Sequence, residues 1–156
     1  MTVAEWEKTV PQKIRGDTVW RVEAYRLALL SADMGWTDVT VLAKDRRTLG
    51  LSDQLYRSLG SISANIEEGF SKGTGKDRAR FYEYTLGSAR ESRGWYYKGR
   101  HVLSEAVVQH RMQVLTHVIK LLLTMIPDQR GSLLHESLTD YDLPDISSLL
   151  NNIPLS

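Results

Sequence analysis

The chain has 156 residues, 42% of them hydrophobic and 25% charged, with a net charge of +1 and no cysteine. This is the composition of one soluble domain with a proper core, and it excludes disulfides, thiolate metal sites and thiol nucleophiles. The charge is unevenly spread: residues 44–120 carry 14 Lys and Arg against 8 Asp and Glu, while residues 127–156 carry one Arg against five acids. A basic middle and an acidic end point to an anionic partner, or to a tail folding back over the bundle.

Residues 1–16, with Pro11 and Gly16 and no clear period, read as an N-terminal arm in which Trp6 is a candidate anchor. Asp17 or Thr18 is placed to cap a long helix through Trp20, Val22, Tyr25, Leu29, Ala32, Trp36, Val39 and Ala43. A break at Gly35, with Thr37 or Asp38 capping a second piece, is the alternative. A charged connection, Lys44 to Thr48, leads to the second helix, Gly50 to about Lys72, with Ser52 as N-cap and Gly69 near its end. Leu51, Leu55, Leu59, Ile62 and Ile66 share one face of it.

A Gly-rich basic turn follows at residues 71–77. The third helix is expected from about Lys76 to Leu103, and the fourth from Ser104-Glu105 to Pro127, which should end it. Small residues at Gly60, Ser61, Ser63, Ala64 and Asn65 and again at Gly87-Ser88-Ala89 predict that helices two and three cross closely there. Ser61, Asn65 and Glu68 would then meet Gly87, Ser88 and Glu91 in a polar seam that fixes register. The pattern predicts an all-α, antiparallel up-down-up-down four-helix bundle at residues 17–127, with the arm before it and an acidic C-terminal tail at 128–156. Asp145 to Leu150 has the makings of a short capped helix.

Catalytic signals are weak. His101, His110, His117 and His135 are the only candidate neutral bases, and the seven-residue step from His110 to His117 is wrong for a metal pair on a helix. No Glu has a His three residues on, which argues against a di-metal bundle. The run from Gly69 to Lys76 follows a helix and lacks phosphate-loop spacing, which argues against an NTPase. No metal, cofactor or catalytic residue is expected, and an enzyme built on Asn65, Glu68 and Glu91 is the third-ranked reading.

The pattern Gly50-Leu51, Gln54-Leu55, Arg57, Ser61-Ile62, Asn65-Ile66, Glu68-Gly69, Phe70 and Lys72 is followed by Phe81-Tyr82, Gly87-Ser88 and Glu91. With these residues, which lie between positions 50 and 91, the chain resembles the four-helix-bundle family encoded in intervening sequences of bacterial 23S ribosomal RNA genes. Arg78 stands where that family usually has an aromatic and Ser58 where it has Ala. The resemblance implies a closed bundle, a homopentamer and no enzymatic activity. The family is similar to the Avd-type accessory proteins of diversity-generating retroelements, which implies an RNA or reverse-transcriptase partner.

On that basis Arg46, Arg47, Lys72, Lys76, Arg78, Arg80, Arg90, Arg93, Lys98 and Arg100 are the expected nucleic-acid contacts. Three of them interleave with Trp95, Tyr96 and Tyr97, a mixture suited to phosphate contact and base stacking, or alternatively to packing between subunits. The competing expectation is a protein adaptor or scaffold ring that docks a partner through its arm and tail. No apolar run is long enough to span a bilayer and no signal peptide opens the chain, so a cytoplasmic protein is expected.

Overall fold

The computed structural model describes residues 1–131 and 144–156; His135 and the middle of the predicted tail lie outside them. The fold is all-α, with no strand among the described residues. Its helices are α1 (Val3–Thr9), α2 (Gln12–Arg15), α3 (Glu23–Leu42), α4 (Leu49–Phe70), α5 (Gly75–Gly99), α6 (Glu105–Arg130) and α7 (Ile146–Asn151). The four long helices form a helical bundle in which each packs on the next and α3 also packs on α6. α5 starts where α6 ends, Gly75 lying against the Gln129 carbonyl, and α3 and α5 end together, Gly99 lying against Leu42.

The arm is helical. Thr2 and Glu5 cap α1 reciprocally, and Trp6, 3% exposed, donates its indole N–H to Asp33 at 2.6 Å and stacks on Trp20. Asp17 does act as a cap, but of a 3₁₀ turn, Thr18–Arg21, that buries Val19. The extended Val22 then sets off α3, which runs unbroken through Gly35. Its buried residues are Ala24, Tyr25, Leu27, Ala28, Leu30, Ser31, Met34, Gly35, Asp38 and Leu42. The predicted apolar stripe holds in part: Tyr25 is buried and Trp20, Val22, Leu29 and Val39 pack against the core, but Trp36 is 63% exposed, and a glycine and an aspartate hold core positions.

The apolar face of α4 is as predicted, with Leu55, Leu59, Ile62 and Ile66 fully buried, but its start is corrected. The helix begins at Leu49, and Ser52 lies inside it, its hydroxyl turned back to the Leu49 carbonyl at 2.6 Å. The preceding Thr48 hydroxyl donates to Leu42 instead of capping. Thr74 and Ser104 cap α5 and α6 through their side chains. α5 stops at Gly99, short of Leu103. Pro127 does not end α6: the helix continues to Arg130 and closes on Gly131, whose φ of 66° supplies the left-handed cap. The missing Pro127 N–H costs only the one helical bond to the Leu123 carbonyl, while the Pro127 carbonyl itself still accepts from the Gly131 amide at 2.8 Å.

The polar seam predicted between α4 and α5 is not there. Glu68, Gly87 and Glu91 are exposed, Asn65 donates to Ser61 of its own helix at 2.8 Å, and a methyl group built on Gly60 or Gly87 meets nothing. The polar contact that does cross is Ser92 donating to Ser58 at 2.8 Å, and the close approach is Gly69 against Phe81 and Tyr82. The expected seam residues lie about one helical step round from the true contact line, which small Ser and Gly side chains cannot reveal by hydrophobicity.

Candidate nucleic-acid interface

The ten expected cations do not form one patch. Lys72, Lys76, Arg78 and Arg80 gather at the α4–α5 turn, Arg46, Arg47, Lys98 and Arg100 at the opposite end of the bundle, with Arg90 and Arg93 between them on α5. Twenty-five helical residues at about 1.5 Å each separate the two ends by roughly 36 Å.

At the α4–α5 turn the cations are engaged locally. Arg78 donates to the Lys72 carbonyl at 2.8 Å and reaches Gln129, Arg80 lies 3.9 Å from Asp77, and the Lys72 ammonium sits 4.8 Å from the centre of the Phe81 ring. Acidic neighbours, including the Glu83–Arg130 pair at 2.5 Å, dilute the field there.

The other end carries closer cation–ring pairs. The Lys98 ammonium lies 4.2 Å over Trp95 and the Arg100 guanidinium 4.0 Å over the exposed Tyr97, the two rings standing two residues apart on α5. Arg46 is exposed in the connection between α3 and α4. Arg47 forks onto Asp45 at 3.0 and 2.6 Å, and hydrogen bonds from its side chain and then its backbone lower the Asp45 carboxyl to a pKa of about 2. Asp45 therefore stays ionised and cancels much of the Arg47 charge. Arg93 donates to Thr116 at 3.0 Å, which ties it to α6. Tyr96, grouped with Trp95 and Tyr97 in the sequence, is buried and takes no part in this surface.

Tyr96 belongs instead to a buried cluster that the sequence reading missed. Asp38 is 0% and Arg111 2% exposed, and they pair through Nε at 2.9 Å and Nη2 at 3.3 Å. The Tyr96 hydroxyl donates to Asp38 at 2.7 Å; burial first, then the Asp38 charge, push its pKa up, so it remains a phenol. Arg111 also donates to the Nδ1 of His110 at 2.9 Å and to the Pro154 carbonyl at 3.0 Å. His110 bonds through Nε2 to the Leu149 carbonyl at 2.8 Å, and Ser156 donates to Asp38. A signal for this cluster exists in the sequence. Asp38 falls three residues after Gly35 and four before Leu42, and Arg111 four after Val107 and four before Leu115, opposite charges at core positions of two helices.

The trio Asn65, Glu68 and Glu91 is not brought together. Glu91 accepts from Trp95 on its own helix and Glu68 points to solvent, so neither joins Asn65. Glu67 is occupied by the Tyr25 hydroxyl at 2.6 Å beside an open cleft of about 230 Å³ lined also by Lys13 and Phe70. Burial and then that Glu67 bond raise the Tyr25 pKa. Among the described residues no group of three His, Asp or Glu is arranged to hold a metal ion, and no helix is long and apolar enough to cross a membrane.

In comparisons with known proteins, no curated protein and no solved structure matches the chain. A family model does match, over residues 22–124, from the residue that launches α3 to the penultimate turns of α6. Those residues hold all four long helices nearly whole and leave out the arm and the C-terminal segment. On that match, as on the residues of α4 and α5 that first pointed to it, the chain belongs to the family of 23S rRNA-intervening sequence proteins.

Proposed function

We propose that this chain is a non-enzymatic, cytoplasmic nucleic-acid-binding protein: an up-down-up-down four-helix bundle that assembles as a homopentamer and assists an RNA or reverse-transcriptase complex, as in diversity-generating retroelements. The observation that carries the reading is the pair of cation–π stacks, Lys98 on Trp95 and Arg100 on Tyr97. Each couples a phosphate-seeking cation to a flat ring on which a base can stack. A ring of subunits repeats that modest surface with each copy, which lets a chain of net charge +1 hold a polyanion.

The test is single-stranded RNA binding followed by fluorescence anisotropy across a salt series. Affinity is expected to fall linearly on log–log axes between about 50 and 200 mM salt. The double substitution Lys98→Glu/Arg100→Glu should weaken binding by about tenfold or more, and Lys76→Glu/Arg80→Glu by less. No binding at the lowest salt would end the nucleic-acid reading, and a monomeric mass in solution would end the pentamer.

The alternative is a protein-protein adaptor or scaffold ring that binds no nucleic acid. Docking through the arm and tail is weakened by Trp6, Leu149 and Ile153 being already buried on the bundle. What favours it is an open groove of about 460 Å³ between α3 and α4, lined by the exposed Trp36, Leu49 and Tyr56. Absence of RNA binding at the lowest salt together with loss of assembly in Trp36→Ala/Tyr56→Ala would favour this reading and assign that groove to protein contact.

A further inference from the structure

Residues 144–156 at the C-terminal end are seated, not loose. Leu149 and Ile153 are buried; Ile153 shares a small core with Trp6, Val10, Leu30 and Met34, and Leu150 packs against it. Polar contacts fix the same segment: the Leu149 carbonyl on His110, the Pro154 carbonyl on Arg111, Ser156 on Asp38, and, at the rim, the Pro144 carbonyl 3.2 Å from the Nε2 of His117. The floor of this groove is the buried ion pair, so a segment of apolar plugs and two carbonyl acceptors fits it in both shape and chemistry.

The hydrogen bonds decide the state of His110. Arg111 is a donor only, so the Nδ1 facing its Nη1 at 2.9 Å must be a lone pair, and the proton of the neutral ring sits on Nε2, from which it is donated to Leu149. A second proton has one place to go, Nδ1. There it would meet a guanidinium head-on, turning an acceptor into a donor and setting two cations 2.9 Å apart. We propose that the groove between α1, α3 and α6 is a peptide-binding site whose resident ligand is the chain's own segment 146–156, and that protonation of His110 releases that segment.

The charged and titratable groups around the ring are Arg111 on its own helix, Asp38 on α3 and Tyr96 on α5. α7 carries no ionisable side chain, and Asp145 ahead of it bonds Ser147 and lies by His117. Asp38 is already shared among Arg111, Tyr96 and Ser156 and is not free to compensate the new charge. His117 does not act in the same way, since its bond to Pro144 is made by a donor nitrogen in both protonation states. Burial lowers the His110 pKa from its ordinary value of 6.5. The sign follows: docking holds fully above about pH 6.5 and weakens as pH falls below it. The segment opens before the bundle does because the buried residues of the main core all come from positions 19–126.

Hydrogen exchange of the full chain, corrected for the intrinsic pH dependence, reads this out. Between about pH 7.5 and about pH 5, protection of the 146–153 amides should fall by about tenfold or more while α4 and α5 keep theirs. In His110→Gln the side chain can still donate to Leu149 and accept from Arg111 without titrating, so protection should persist in acid. In His117→Gln the wild-type response should remain. The proposal is overturned by equal protection of the wild-type segment at both pH values, by loss of α4 and α5 protection in parallel with it, or by His117→Gln abolishing the response. If His110→Gln does not fold, the wild-type exchange and His117→Gln still decide.

Discussion

Asp38→Ala should be among the most damaging single substitutions in this chain, costing about 3–5 kcal/mol. The reason is what it leaves behind: an Arg111 guanidinium 2% exposed, stripped of water and of its counter-ion, with only His110 and the Pro154 carbonyl to receive its protons. The Tyr96 hydroxyl loses its acceptor as well. For a domain of this size that loss corresponds to a fall in melting temperature of roughly 10–15 °C. Arg111→Ala should cost a similar amount for the mirror reason. The pair itself is worth far less than either deletion, because both ions were desolvated to form it. Asp38→Leu/Arg111→Met should therefore recover most of the stability, short of full recovery because the Tyr96 hydroxyl and the Pro154 carbonyl stay unmatched. Urea denaturation of Asp38→Leu, Arg111→Met and their double variant closes the cycle. A loss under about 1 kcal/mol for Asp38→Ala would mean that water reaches the pair and that the site is not sealed.

That buried pair also shows where the sequence is readable and where it is not. The second helix was legible almost completely, since Leu55, Leu59, Ile62 and Ile66 report one face through hydrophobicity alone. The first helix was legible only in part. Its core face includes Tyr25, which the pattern picked out, but also Gly35, Ser31 and Asp38, which carry no apolar signal, while Trp36 advertises a face that the bundle leaves exposed. Periodicity assumes that apolar means inside, and it fails wherever a helix spends core positions on close approach or on charge. Helix ends failed for a related reason. Ser52 and Pro127 are good local signals overridden by what lies just beyond them, the Thr48–Leu42 bond and the Gly131 cap.

The candidate surface was legible residue by residue and not as a surface. The sequence places Trp95, Tyr97, Lys98 and Arg100 within six positions, and helical geometry stacks each cation on a ring three residues away. It does not say that Lys72 to Arg80 sit at the far end of α5, nor that Tyr96 turns inward to Asp38. The arm and the C-terminal segment looked like separate additions, because Trp6 and Ile153 are 147 positions apart and meet only across α3. Long-range pairing of that kind leaves no trace in local pattern.

The glycines give a second large effect, of a sign opposite to the usual rule. Gly to Ala inside a helix ordinarily stabilises by about 0.5–1 kcal/mol, because it removes freedom from the unfolded chain. That is the outcome expected for Gly60→Ala, whose added methyl meets open space. At Gly35 the same methyl would lie 2.4 Å from a terminal carbon of Leu59, and Leu59 is itself fully buried. Gly35→Ala is therefore expected to destabilise by about 1–3 kcal/mol, the overpacking cost outweighing the propensity gain. The cause can be isolated by shrinking the neighbour. Leu59→Ala alone should cost about 2–5 kcal/mol, as a cavity, yet on that background the Gly35 methyl enters vacant space and should become neutral or stabilising. Thermal melts of the two single variants and the double variant measure the coupling directly. If Gly35→Ala were as stable as Gly60→Ala, α3 and α4 would have to separate at no cost, and the close contact between them would not be what holds α3 straight through its glycine.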